Sequence, residues 1–233
     1  MSAFLWESKK LPRQKGMSMA YWISKTIFGV FFAIGFKTRI VGCEKLPKRG
    51  AFLLAANHAS YFDPPLISGI TPKPLHFLAR KSLLKNAWLW VLHRALNIIP
   101  VDVEGHDVVA IKTAIRTLKE DKPLVIFPEG SRSRDGTLQR GKPGGGFIAC
   151  KAGVPVVPVR VFGTYDALDK TTTKPKWGMP LTVVIGDLMP AGSYDPGPKD
   201  PDRYQKAIDN IMAAIAKIEK PEAHTQSEVE WAM

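Results

Sequence analysis

Four short apolar runs, separated by stretches of helical periodicity, limit this chain to a small set of folds. Ala51 to Ala56 and Leu124 to Phe127 are continuously apolar, Val154 to Phe162 is rich in β-branched residues, and Leu181 to Ile185 closes the series. None shows the strict polar–apolar alternation of a strand with one wet face. Continuous runs of this length suit strands covered on both faces, as in parallel sheets packed between helices. The period changes between them. Asp107 to Glu120 places Ile111, Ile115 and Leu118 at i, i+4 and i+7. Gly146 to Ala152 ends at Gly153, a residue suited to a helix C-terminus. Tyr204, Ile208, Ile211, Ile215 and Ile218 form one helical stripe. The expectation is an α/β domain with a mainly parallel or mixed central sheet flanked by helices. Proline cannot donate to a ladder, so Pro155 and Pro158 predict an edge or marginal position for the third strand.

The ends of the chain read differently. Residues 1–16 form a polar lead-in, and residues 17–38 read as helix, in which the stretch Met17 to Phe36 contains a run of apolar residues and glycine from Ile27 to Phe36. That stretch barely reaches the ~20 residues a membrane span needs, and no cleavage site of a signal peptide follows it. Lys9, Lys10, Arg13, Lys15, Lys37 and Arg39 flank it. The pattern suits a helix lying in a membrane interface, with a buried core helix as the alternative. The domain organisation read from this is a lead-in and membrane-associating helix at 1–38, a globular domain at 39–220 and a polar tail at 221–233. Residues 169–180 and 190–202 are loop-like.

Charge narrows the partners. Lys and Arg number 33 against 21 Asp and Glu, a net charge of +12, which favours an anionic surface or ligand. No zinc pattern, RNP-like aromatic motif or recognition helix accompanies the charge, so nucleic acid is not expected. Cys43 and Cys150, the two cysteines, make neither a metal-type pair nor a disulfide framework.

Two segments carry chemistry. The first run leads into Asn57-His58-Ala59-Ser60-Tyr61-Phe62-Asp63-Pro64, at a strand's carboxyl end, where ligands gather in open α/β folds. Ser60 and Asp63 match a capping box at a helix start. A turn there can bring Asp63 to one imidazole nitrogen of His58, leaving the other nitrogen as a base. No serine or cysteine nucleophile stands beside the pair, which suits attack by a substrate hydroxyl. The plain alternative is a hydrogen-bonded turn with a capping aspartate. The second run leads into Pro128-Glu129-Gly130-Ser131-Arg132-Ser133-Arg134. Gly130 permits a tight turn, Ser131 offers a hydroxyl, and Arg132 offers a donor fork suited to phosphate. Arg134 and Arg140 read as solvated basic residues.

Together these segments resemble the glycerolipid acyltransferase family, in particular its 1-acylglycerol-3-phosphate acyltransferases. N-H-x4-D matches Asn57, His58 and Asp63, F-P-E-G-[T/S]-R matches Phe127 to Arg132, and V-P-[I/V]-[I/V]-P-V matches Val154 to Val159. Ala79 to Leu83 and Ile99 to Asp102 resemble a looser second block. Ser82 stands where the family usually has Glu, and Val103 where Arg often follows the Asp. The resemblance implies transfer of a fatty acyl group from acyl-CoA or acyl-ACP (acyl carrier protein) to the sn-2 hydroxyl of lysophosphatidic acid, giving phosphatidic acid. It implies His58 as general base and Asp63 as its partner, Arg132 and Lys81 on the acceptor's phosphate, and Glu129, Gly130 and Ser131 in the acceptor site. Pro155 and its neighbours fall on the donor side. It implies no bound cofactor and no metal, and a peripheral or monotopic place on the cytoplasmic face of the membrane. Trp88, Trp90 and Leu92, beside Lys85 and Arg94, offer a second membrane contact or ordinary core. Acylation of glycerol-3-phosphate or another lysolipid, and lipid binding without catalysis, are the alternatives.

Overall fold

In the computed structural model, which describes residues 19–80, 97–101, 108–169, 171–172 and 174–222, the four apolar runs lie in one sheet. Its strands are β1 (Lys37–Val41), β2 (Leu53–Ala56), β3 (His76–Arg80), β4 (Ile98–Val101), β5 (Leu124–Ile126), β6 (Val156–Phe162) and β7 (Pro180–Ile185). Their order is β1-β7-β6-β2-β5-β3-β4. All neighbours are parallel except β6 and β7, so the sheet is mixed. The helices are α1 (Met19–Gly35), α2 (Asp63–Ser68), α3 (Val108–Lys119), α4 (Pro143–Ala152), α5 (Thr164–Ala167) and α6 (Arg203–Ala216).

Strand side chains alternate between two cores. Leu54, Ala56, Val125, Val157 and Val159 pack with Phe32, Phe36, Leu66 and Ile67 of the α1 and α2 side. Leu53, Ala55, Leu124, Ile126 and Val156 pack with α3, α4 and α6 through Leu118, Ile148, Ile208 and Ile211. Each fully buried Val, Leu, Ile or Phe side chain among them stabilises by about 1.5–3 kcal/mol. Burial on both faces is why the strands read as unbroken apolar runs.

Several expectations change. The third run is not at a margin: β6 lies between β7 and β2. The carbonyl of Pro158 accepts from the Gly186 N–H at 2.8 Å, just past the end of β7. The proline nitrogen faces that same side, so no bond to β2 is lost. The first helix ends at Gly35 rather than 38, and Lys37 and Thr38 already pair with Pro180 and Leu181 of β7. The helix expected from Gly146 begins one turn earlier, at Pro143, where a proline is tolerated, and it closes on Gly153 as expected. Strands β1, β3 and β4 had no distinct apolar run to announce them.

One face of α1 enters the core through Tyr21, Lys25, Phe32 and, just beyond its end, Phe36. The Lys25 ammonium donates to the Thr71 carbonyl, and burial holds its pKa down to about 8. On the opposite face Met19, Ile23, Ile27, Val30 and Ile34 are exposed. The spacings 4, 4, 3, 4 keep these five on one stripe at 100° per residue. Among the described residues, no helix is long and apolar enough to cross a membrane.

Candidate active site

Strands β2 and β5 are parallel neighbours, with Ala55 opposite Ile126. The turns that follow them therefore emerge side by side at the carboxyl edge of the sheet. This is the step that joins His58 to residues seventy positions away.

Asn57 ends β2 by imitating a peptide. Its side-chain amide donates to the Val161 carbonyl at 3.0 Å, and its side-chain oxygen accepts the Val161 N–H at 2.7 Å. The chain can then leave the sheet without orphaning its buried partner strand. His58 follows. Its Nδ1 lies 2.8 Å from Asp63 Oδ2, and its ring stacks on Phe127 with centroids 4.0 Å apart. Asp63 is fully buried. The same Oδ2 accepts the N–H groups of Ala59 at 2.7 Å and Ser60 at 2.8 Å. Asp63 also opens α2, where the helix dipole favours a negative charge. With Nδ1 engaged, Nε2 is the ring nitrogen left for proton transfer.

The expected capping box is half formed. Asp63 reaches back to the Ser60 N–H, but the Ser60 hydroxyl donates to the Leu168 carbonyl at 2.6 Å and accepts from the Phe62 N–H at 3.2 Å. The helix N-cap is Phe62, with no side-chain cap. Ser60 is thus a structural tie to the segment after α5.

The turn after β5 wraps His58 from the other side. Glu129 Oε1 accepts the His58 N–H at 2.9 Å, and the Ser133 N–H donates to the His58 carbonyl at 2.7 Å. Glu129 is 3% exposed. Burial pushes its carboxyl up to about 7, against the pull of the His58 and Gln139 backbone. Gly130 takes φ +71°, a conformation that costs other residues dearly. Ser131 is exposed, and Arg132 is half-buried. The Arg132 guanidinium lies 3.5 Å from the centre of the Tyr61 ring. One of its terminal nitrogens is buried with no hydrogen-bond partner among the described residues.

Reading the sequence missed several residues here. Lys142 lays its stem over Gly130: a Cβ placed at position 130 would meet its Cδ at 2.9 Å and its Nζ at 3.3 Å. Its own N–H donates to the Pro128 carbonyl at 2.8 Å. Tyr61, Phe127 and Ser133 also support the site. These three lie inside the quoted segments but carried no assigned role there, and nothing in the spacing of Lys142 pointed to Gly130. Lys81, Ser82, Trp88, Trp90, Leu92, Lys85, Arg94, Asp102 and Val103 lie outside the described residues. Among the described residues, no group of three or more His, Cys, Asp and Glu side chains could hold a metal ion.

The domain is α/β, with the His58–Asp63 pair and Arg132 on the turns that follow two neighbouring strands. A family model described as Acyltransferase matches residues 37–162, and the chain belongs to the acyltransferase family. The 1-acyl-sn-glycerol-3-phosphate acyltransferase of Bacillus subtilis is 34% identical over 127 residues, 54% of this chain and 62% of that protein. The enzyme of the same name from Limnanthes douglasii is 29% identical over 185 residues, 78% of this chain and 64% of its own. The chain thus spans a little under two thirds of the length of these curated relatives. The crystal structure of the 1-acyl-sn-glycerophosphate acyltransferase from Thermotoga maritima superposes with a TM-score of 0.63 at 29% identity, covering 83% of this chain and 75% of that one.

Proposed function

We propose that this protein transfers a fatty acyl group from a thioester, acyl-CoA or acyl-ACP, to the free sn-2 hydroxyl of lysophosphatidic acid. The product is phosphatidic acid. The observation that carries the reading is the 2.8 Å pair of His58 Nδ1 and the fully buried Asp63, set against the turn that bears Arg132. The relatives named above, each a 1-acyl-sn-glycerol-3-phosphate acyltransferase, support it.

The acceptor's phosphate docks on Arg132, with Lys142 beside the same turn and Lys81 contributed by the family pattern. Ser131 and the Gly130 backbone border it. His58 Nε2 takes the proton of the acceptor hydroxyl as its oxygen attacks the thioester carbonyl. Asp63 holds the tautomer and stabilises the imidazolium. The carbon–sulfur bond breaks, an oxygen ester forms, and the thiolate takes up the proton held by His58. A base so placed contributes roughly 10²–10⁴-fold.

The acceptor and product are lipids, and a membrane surface is the fitting partner. The exposed α1 stripe, Trp177 at 59% exposure and the groove of about 520 Å³ between Phe31, Ile34, Gly35 and Trp177 would enter the headgroup boundary. The net charge of +12 suits an anionic leaflet, such as the cytoplasmic face of a cell membrane.

The test is turnover of lysophosphatidic acid and a long-chain acyl-CoA by the detergent-solubilised chain, following thiol release and phosphatidic acid together. Wild-type product with a loss of roughly 10²-fold or more in a folded His58→Ala variant is the expected result. Activity unchanged in His58→Ala would sink the mechanism. Thiol release without phosphatidic acid would mean thioester hydrolysis instead.

A further inference from the structure

Resting on the acyl-transfer reading above, we infer that Glu129 is a positioning residue: it clamps the peptide N–H of His58, ties the base to the turn carrying Arg132, and does not touch the acceptor. A ligand contact needs an accessible atom, and Glu129 is 3% exposed. One of its oxygens holds the His58 N–H at 2.9 Å. The other is buried as well. A carboxylate open to the acceptor's phosphate would also repel it.

The clamp is two-sided. Glu129 takes the N–H of His58, and the Ser133 N–H takes its carbonyl at 2.7 Å. Both belong to the turn that presents Arg132. Asp63 separately holds the ring. The base therefore cannot shift against Arg132 without breaking a buried hydrogen bond. The acceptor is gripped at its phosphate and deprotonated at its hydroxyl, so this rigid span sets which hydroxyl reaches Nε2.

The experiment compares the full chain with Glu129→Ala, Glu129→Asp and Glu129→Gln. Glutamine keeps a carbonyl oxygen for the His58 N–H. Aspartate keeps the charge but falls one methylene short. Steady-state kinetics with lysophosphatidic acid should show kcat down by about 10²-fold in the Ala and Asp variants, the scale of an ångström-level misplacement. The KM for lysophosphatidic acid should move by less than about threefold. Glu129→Gln should recover most of the loss. In parallel, NMR amide hydrogen exchange at His58 should speed up in the Ala and Asp variants and stay slow in Gln. A rise in KM with kcat retained would make Glu129 an acceptor contact and overturn the inference. So would His58 exchange as slow in a folded Ala or Asp variant as in the wild type, or activity kept by Asp and lost by Gln. Wild-type silence with every donor and acceptor would instead sink the acyl-transfer reading, while the exchange measurement still decides the clamp.

Discussion

At His58 the ring and the peptide are held by different neighbours. Asp63 and Phe127 fix the ring, and Glu129 and Ser133 fix the backbone. Glu129 does this at an electrostatic cost, since burial raises its carboxyl from 4.5 to about 7. Below pH 4.5 the group is protonated in folded and unfolded chains alike, and its contribution to stability is complete. As the pH rises, the unfolded chain releases this proton first, so the contribution declines until the folded carboxyl ionises near 7. Chemical denaturation across pH 4 to 8 should therefore show the wild type losing stability relative to Glu129→Gln through that window, and parallel profiles would refute it. His58, Asp63 and Arg132, to which the proposed mechanism assigns the chemistry, were legible as motifs. Lys142 was not, because its place over Gly130 depends on a close approach between segments that no local spacing encodes.

Helix packing around the site depends on small residues. In α4, a Cβ at Gly146 would lie 1.9 Å from the Tyr204 carbonyl oxygen of α6, whereas nothing stands within 4 Å of one at Gly144. Gly146→Ala must push two backbones apart and is expected to cost about 1–3 kcal/mol, the usual range for overpacking. Gly144→Ala should be neutral or stabilising by about 0.4–1 kcal/mol, through reduced unfolded-state entropy. Denaturant midpoints of the two variants give the comparison, and equal effects would mean that the helices are not in that contact. The helical pattern of α6 was visible in Tyr204, Ile208, Ile211 and Ile215, and the end of α4 in Gly153. Their contact was not, because glycine leaves no mark in a hydrophobic period. The inner position of β6 was hidden for a related reason: Pro158 suggests an edge until its nitrogen is seen to face the end of β7.

At the scale of the molecule, much of the exposed apolar surface among the described residues lies on α1 and Trp177. If that patch docks on lipid, Ile27→Glu and Ile34→Glu, at positions 59% and 83% exposed, should leave the core intact. Each should weaken binding to anionic vesicles by tenfold or more, on the order of the 1.5–3 kcal/mol for burying one such side chain. Vesicle co-sedimentation at low and high salt is the measurement. Unchanged partitioning of both variants would place the lipid contact elsewhere, and strong salt dependence would show the part played by the basic residues. Of the two readings of this helix, the buried-core one holds for one face of α1, while the opposite face is apolar and exposed.

The amino-acid order by itself determined the α/β class, the buried strands β2, β5, β6 and β7, and the placing of His58 and Arg132 at strand ends, because strand burial and turn chemistry are local and leave a periodic signature. Tertiary structure decided which strands are neighbours. It placed β5 beside β2 and so brought Glu129 and Ser133 to the peptide of His58. It also turned Asn57 into the end of a ladder and seated Lys142 on Gly130. Those contacts join segments far apart in the chain, and their energy exists only once the sheet order has closed the loops between them.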